Sequence, residues 1–326
     1  MTIDVLCLRP EADFLRAGVT PPGALRVAYR APDDPDVPAL MRQARALVIP
    51  AVGRKLAPAT FEKTSVKFVQ VTGAGLDRLD LKLMKGLGIA VSNVPGGSNQ
   101  AVAAYVVAAA TVLLRRFAWA DAEIRIGRYR EFRAKMLADN LSGLDGLTAG
   151  VVGLGVIGLA VAEALHKNGC NIIYFDPTLR DLKAAASFGA KAVSLDELLK
   201  IADVVTLHVP LLPSTLGLIG ARELALMKRG TILIQASRGG IVDETALAAA
   251  LNSGHVGGAG VDVFSSEPPA ADNPLLALSG DAARRVLLTP HIAGVTRQAS
   301  AFLFRSAWSN IERVLIANEP PLHRAC

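Results

Sequence analysis

Aromatic residues make up only 5% of this 326-residue chain, although 51% of it is hydrophobic. A core so poor in rings has to be built from Val, Leu, Ile and Ala. That is the composition of a parallel sheet covered by helices, whose strands read as continuous aliphatic runs. Cysteine is scarcer still. Cys7, Cys170 and Cys326 are odd in number and far apart, which excludes a disulfide framework and a cysteine-based metal site and points to a reducing compartment. The opening MTIDVLCLRP lacks the basic start and long apolar stretch of a secretory signal. No run is long enough to span a bilayer: the most apolar segment, 101–114, is closed by Arg115 and Arg116, short of the ~20 residues a span needs. The expectation is a cytoplasmic protein with no membrane partner. The formal net charge is +6, and part of the excess falls at Arg125, Arg128, Arg130 and Arg133. With no nucleic-acid motif beside it, this stretch reads as a solvated helical face that also favours anionic ligands, and no nucleic-acid partner is expected.

What is present is alternation. The first hundred residues contain four aliphatic runs, IDVLCL, ALVIPAV, VKFVQVT and GIAVSNV, with helical stretches at 37–45 and 78–87 between them. A second series begins near Gly150: AGVVGLG, NIIYFDP, DVVTLHVP, GTILIQAS, GGAGVDVF and RVLLTPH, separated by helical stretches at 156–168, 195–201, 221–227 and 244–252. Strands alternating with helices imply parallel α/β sheets, and the six-strand series fits a doubly wound nucleotide fold. The fold expected is a two-domain α/β protein. A Rossmann domain at 100–292 is inserted into a smaller flavodoxin-like substrate domain formed by 1–99 and 293–326, which ends in a helix over 297–317.

The second series opens on Gly153-Leu154-Gly155-Val156-Ile157-Gly158, a Gly-x-Gly-x-x-Gly between a strand and a helix. Gly153 permits the tight turn, Gly155 leaves room for a pyrophosphate, and Gly158 lets helix and strand pack closely. The amides of Val156 and Ile157 at the helix start face the phosphate oxygens. The next strand ends in Asp176, 18 residues past Gly158 (176 − 158). An acid there accepts ribose hydroxyls and repels a 2′-phosphate, so NAD (as NADH in reduction) is favoured over NADP, with Arg180 nearby as the one contrary charge.

Three later strand ends carry polar residues that aliphatic strands do not explain: Arg238, Glu267 and His291. In a parallel sheet the carboxyl ends of the strands converge on the ligand crevice. A guanidinium fits a carboxylate bidentately and polarises a neighbouring keto oxygen. An imidazole gives or takes the proton at that oxygen, and a carboxylate on the ring orients it and favours its protonated form.

Through GLGVIG (153–158), HVPLLPSTLGLIG (208–220), ASRGGIVDETAL (236–247), GAGVDVFSSEPP (258–269) and TPHIAG (289–294), the chain resembles the D-isomer-specific 2-hydroxyacid dehydrogenases over nearly its whole length. The resemblance implies hydride transfer between NAD and a small 2-hydroxy or 2-keto acid, with Arg238, Glu267 and His291 as the catalytic residues. It sets Asp262 near the nicotinamide carboxamide, Val209, Pro210, Ala236 and Ser237 along the cofactor, and Gly294 at the nicotinamide end. In the first domain it makes Thr72-Gly73-Ala74-Gly75-Leu76-Asp77 the substrate loop, with Ala74 and Gly75 gripping the acid's carboxylate alongside Arg238 and His291. It also implies a homodimer joined through the dinucleotide domain, with 101–114 as a candidate interface helix. Three departures bear on the substrate. Pro50 stands where the phosphoglycerate enzymes place an arginine, with Arg54 close by. Ala104, followed by Tyr105, replaces the acid of the hinge helix. No regulatory domain is read after the last helix. Alternatives remain open: phosphoglycerate dehydrogenase itself, a formate enzyme (against which Glu267 speaks), or an NAD-sensing binding protein of the same fold.

Overall fold

A computed structural model describes residues 3–178 and 183–326, so Arg180 lies outside the described residues. The chain divides into two compact units, Met1–Ser98 with Val295–Cys326, and Asn99–Gly294.

The first unit is a five-stranded sheet. Its strands are β1 (Val5–Cys7), β2 (Val27–Tyr29), β3 (Ala46–Ile49), β4 (Phe68–Val71) and β5 (Ala90–Ser92), in the order β2-β1-β3-β4-β5. Every pairing is parallel. The two-residue period of a strand sorts the side chains into two cores. Leu6, Leu47, Ile49, Val69 and Val71 pack with Met41, Phe61 and Met84 on one face. Val5, Cys7, Ala46, Val48 and Phe68 pack with Phe14, Phe304, Trp308 and Ile311 on the other. The last three of these sit on the Arg297–Leu315 helix, capped by the Thr296 hydroxyl, which accepts from the Ala299 amide. β2 was not among the four runs expected. It is three half-exposed residues at the sheet edge, too short and too wet to give an aliphatic signature.

The second unit is a seven-stranded sheet of β6 (Thr148–Val152), β7 (Asn171–Phe175), β8 (Lys191–Ala192), β9 (Val204–Leu207), β10 (Ile232–Gln235), β11 (Gly258–Val261) and β12 (Val286–Leu288). Its order is β12-β11-β10-β9-β6-β7-β8, all parallel. Six of the seven are the expected strands; β8 is a two-residue exposed edge. Alternation again builds two cores. Val152, Val205, Leu207, Leu233 and Val261 face one side. Ala149, Val151, Ile172, Val204 and Ile234 face the other, under the Asn99–Leu114 and Val156–Lys167 helices. Glycines on β11 let the first of those helices lie close: a Cβ on Gly260 would sit 3.5 Å from Ala109 Cβ, and one on Gly258 3.5 Å from Leu113 Cδ2. The apolar 101–114 segment is therefore a core helix of this unit, and among the described residues no single helix is long and apolar enough to cross a membrane.

The basic stretch forms two helices, Phe117–Arg125 and Tyr129–Ala138. Buried Trp119 anchors them, with Arg116, Lys135 and Arg284 within 5.6 Å of its ring centroid. Buried Glu123 takes the Trp119 indole at 3.1 Å and pairs with Arg284 at 3.0 Å.

Candidate active site

In the second unit β6 and β9 are neighbours, and the chain leaves β6 outward to β7 on one side and continues from β9 to β10 on the other. This is the topological switch point at which an open α/β sheet opens a crevice at its carboxyl edge. The glycine turn lies there, directly after β6. Gly153 has φ +90°, and a Cβ on it would lie 2.7 Å from the His208 carbonyl oxygen behind β9. A Cβ on Gly158 would fall 1.9 Å from the Gly153 carbonyl oxygen, so turn and helix touch backbone to backbone. Gly155 differs, for a Cβ there would meet nothing within 4 Å. It is the N-cap of the twelve-residue Val156–Lys167 helix and supplies no side-chain cap. Val156 is left 61% exposed beside it, while Ile157 is half-buried. An uncapped helix start facing open space is where a pyrophosphate is held by backbone amides and the helix dipole.

Asp176 stands at the end of β7, half-exposed. Its Oδ2 accepts from the Leu154 amide inside the glycine turn at 2.9 Å, and its Oδ1 from the Thr178 amide at 2.8 Å. The acid thus fixes the turn from the adjacent strand while presenting carboxylate oxygens beside it. The residues present fit a bound dinucleotide.

The three polar residues follow β10, β11 and β12, adjacent strands of the same edge. After β10, buried Gln235 organises the loop: its Oε1 accepts from the Ser237 hydroxyl at 2.7 Å, and its Nε2 donates to the Arg238 carbonyl at 2.9 Å. Ala236 and Arg238 are half-buried around buried Ser237, and the Arg238 guanidinium donates to the Ser237 carbonyl at 2.7 Å. A Cβ on Gly239 would lie 1.7 Å from the Phe264 carbonyl oxygen. The loop after β10 is therefore pressed against the loop after β11, which carries Glu267. That second loop is tied in turn by Glu244, whose carboxylate takes the Ser265 amide at 2.6 Å.

Glu267 and His291 meet. The Glu267 oxygens lie 2.8 and 3.1 Å from His291 Nδ1, and Oε1 also accepts from the Phe264 amide at 3.2 Å. With Nδ1 turned to the carboxylate, Nε2 is the ring atom left to exchange a proton with a ligand. His291 holds φ +55°, a left-handed conformation uncommon for a residue other than glycine. The residue that ties this turn down is Asp262, fully buried. Its carbonyl accepts the His291 amide at 2.8 Å. Its carboxylate accepts the Ile292 and Ala293 amides, each at 2.8 Å, and the Thr289 hydroxyl at 2.6 Å. Gly294, half-buried, closes this segment. The structure thus shows Asp262 bracing the histidine turn from below, a role that reading the sequence did not assign. Gln235 and Glu244 were also missed; a lone glutamine closing the aliphatic run ILIQ was the available signal for the first.

Val209 and exposed Pro210 follow β9, and His208 stands behind the glycine turn. Its ring meets the Thr206 hydroxyl at 2.8 Å, and desolvation pushes it down to about 3 from an ordinary 6.5. Between those values the unfolded chain takes up a proton that the folded chain refuses. The contribution of His208 to stability is therefore whole above pH 6.5 and falls as pH drops toward 3. Urea unfolding from pH 7 to pH 4 should lose stability more steeply in the native protein than in His208→Gln, by a slope difference approaching ~1.4 kcal/mol per pH unit, the limit for one proton. Equal slopes would refute a neutral His208.

In the first unit the loop after β4 contains Ala74 and Gly75. The Asn93 side chain donates to the Ala74 carbonyl at 2.7 Å, and the Val94 amide to the Gly73 carbonyl at 2.9 Å. The loop after β3, where Pro50 stands, is clamped by a residue the sequence did not single out. Buried Arg78 donates to the carbonyls of Arg54 (2.9 Å) and Pro50 (3.0 Å), and burial pushes its guanidinium down from the usual range. Arg54 itself is exposed.

Comparison with known proteins bears on the family and the fold. The D-3-phosphoglycerate dehydrogenase of Archaeoglobus fulgidus is 39% identical over 235 residues, 72% of this chain and 42% of that protein. The chain thus spans less than half the length of that relative. Among solved structures, D-mandelate dehydrogenase of Rhodotorula graminis superposes with TM-score 0.84 at 26% identity, covering 99% of this chain and 97% of that one. The NAD-dependent formate dehydrogenase of Staphylococcus aureus, solved in complex with NAD, gives TM-score 0.82 at 25% identity over 99% and 98% of the two chains. The family model described as D-isomer specific 2-hydroxyacid dehydrogenase, NAD binding domain, matches residues 107–293, more than half the chain. With the glycine turn, Asp176 and the Glu267–His291 pair in place, the chain belongs to the D-isomer-specific 2-hydroxyacid dehydrogenases and carries their NAD-binding domain.

Proposed function

We propose that this protein is an NAD-dependent D-2-hydroxyacid dehydrogenase that works as a reductase of a small 2-keto acid. The observation that carries the reading is the 2.8 Å contact of Glu267 with His291 Nδ1, at the sheet edge that also presents Arg238. Glycines Gly153, Gly155 and Gly158 with the amides of Val156 and Ile157 take the pyrophosphate, and Asp176 takes the adenosine ribose. Val209, Pro210, Ala236, Ser237 and Gly294 line the dinucleotide, and Asp262 serves its nicotinamide end through the turn it braces. Bound NADH supplies the hydride. Arg238 binds the acid's carboxylate and polarises the carbonyl. His291 delivers a proton from Nε2 to the substrate oxygen, and Glu267 holds the ring in the orientation that makes this possible.

The protein is further proposed to be a cytoplasmic homodimer, binding neither nucleic acid nor membrane. Its three free thiols, two of them buried, suit a reducing compartment. The relatives named phosphoglycerate dehydrogenase put 3-phosphohydroxypyruvate among the candidate substrates, while Pro50 in place of a phosphate-binding arginine favours a smaller acid such as glyoxylate, hydroxypyruvate or pyruvate. The test is loss of absorbance at 340 nm from NADH with each of these four acids. At least one is expected to turn over. NADH binding with no turnover on any 2-keto acid would overturn the enzyme reading in favour of an NAD sensor.

A further inference from the structure

We propose that Tyr105 is a positioning residue for His291, acting from the Asn99–Leu114 helix through a hydrogen-bond chain that runs Tyr105, Thr289, Asp262 and then the histidine turn. The inference rests on the assignment of His291 as the proton donor.

The helix brings Tyr105 to this place by register. Along it, Leu113 lies over Gly258 and Ala109 over Gly260, each 3.5 Å from where a Cβ would stand. Four helix residues advance ~6 Å, and two strand residues advance ~6.6 Å. One turn further along, helix position 105 therefore comes level with position 262, just past the end of β11. There the Tyr105 hydroxyl lies 2.7 Å from Thr289 Oγ1. The glycines of β11 leave room for the approach, since even a Cβ on 258 or 260 would already be in van der Waals contact with the helix.

The direction of the chain follows from counting protons. A threonine hydroxyl has one, and Thr289 donates it to Asp262 Oδ1 at 2.6 Å. The 2.7 Å contact must then be donated by Tyr105. Burial, together with the charge of Asp262, pushes the phenol above its ordinary range although the Thr289 bond works the other way, so Tyr105 keeps the proton it donates at neutral pH. Tyr105 thereby holds Thr289 in the rotamer that serves Asp262. The Asp262 carboxylate serves Ile292 and Ala293, and its carbonyl serves the His291 amide. Each link is 2.6–2.8 Å, and the chain ends at a histidine in the left-handed region, φ +55°. Without the phenol, Thr289 is free to turn, the brace loosens, and the imidazole samples orientations away from the one set by Glu267.

The test compares Tyr105→Phe, Thr289→Val, Thr289→Ser and the Tyr105→Phe/Thr289→Val double variant in the full chain. Steady-state kinetics use NADH and the best substrate of the panel, and ¹H–¹⁵N spectra of the imidazoles are recorded without cofactor, with His291 assigned by its loss in His291→Gln. Tyr105→Phe is expected to lower kcat about 5- to 10-fold, the worth of one hydrogen bond, with both KM values within about 2-fold. Thr289→Val should lower kcat at least as much, and the double variant no more than about 2-fold further, because both changes break one chain. Thr289→Ser should stay within about 2-fold of the native protein. The His291 ring signals should shift or broaden in Tyr105→Phe while those of His166, His255 and His323 stay in place. Unchanged kcat in Tyr105→Phe, losses that multiply in the double variant, or a loss with undisturbed His291 signals would each overturn the proposal. Should no 2-keto acid turn over, the assigned activity fails by itself. The imidazole spectra then decide alone on Tyr105: moved His291 signals sustain its link to the turn, and unmoved signals end it.

Discussion

Replacing His291 by asparagine should lower kcat for keto-acid reduction by about 10²- to 10⁴-fold, the range that a positioned acid contributes, while the Kd for NADH changes less than about 3-fold. Asparagine is the matched variant because of the backbone. His291 sits at φ +55°, which asparagine tolerates and alanine does not. Alanine would add roughly 1–2 kcal/mol of conformational strain to the chemical loss, and the two would be confounded. A second arm separates proton delivery from ring orientation. Glu267→Gln keeps a side chain able to contact Nδ1 but removes the charge, so its loss should be smaller, on the order of 10-fold in kcat. Stopped-flow loss of NADH absorbance with saturating acid reads the transfer step directly. If His291→Asn retains more than about a tenth of the native rate, the imidazole is not the proton donor, and another group must be sought at this sheet edge.

Much of this arrangement was legible because it depends on short-range rules. Aliphatic runs bounded by glycine, proline or charged residues marked ten of the twelve strands among the described residues. The two they missed, β2 and β8, are edge strands with half-exposed or exposed residues, where burial no longer dictates composition. The glycine pattern followed by Asp176 gave the dinucleotide turn, because Gly153 and Gly158 are fixed by backbone contacts that no other residue survives. Arg238, Glu267 and His291 stood out as polar residues ending aliphatic strands, and parallel topology does bring those three strand ends to one edge.

The residues that hold them there were not legible, for a common physical reason. Tyr105 and Thr289 are separated by 184 positions and meet only because one helix lies antiparallel over β11 at a matching step. Glu244 reaches Ser265 from the start of another helix. Arg78 acts through carbonyl oxygens, which every residue possesses, so its partners leave no mark in the sequence. Asp262 was noticed for a different task, since nothing local says that a buried acid will collect donors from residues 289–293. Function-bearing side chains announce themselves by breaking a pattern, whereas their supports are polar residues whose purpose appears only when distant segments are packed.

Asp262 is the support whose loss should be felt most. Its carboxylate satisfies three donors in a fully buried place: the Thr289 hydroxyl and the amides of Ile292 and Ala293. Asp262→Ala removes this acceptor from all three; a buried donor so stranded costs about 1–3 kcal/mol, which applies in full to the buried Ala293 amide and in part to the part-buried Thr289 hydroxyl and Ile292 amide. Water entering the space vacated by the carboxylate recovers part of this, so a net loss of about 3 kcal/mol in unfolding free energy is expected. The loss should also reach activity, because the left-handed conformation at His291 is then held through its amide by the carbonyls of Asp262 and Thr289 alone, without the carboxylate that fixes the two residues after it. Asp262→Asn gives the calibrating case. Its single amide oxygen can serve one side, but its NH₂ group then confronts donors on the other, so about half the destabilisation should remain. Urea denaturation of the three proteins, read alongside kcat, checks the ordering. An alanine variant as stable as the native chain would mean that the turn is held by something other than this carboxylate, and the Tyr105 chain would lose the link through which it acts.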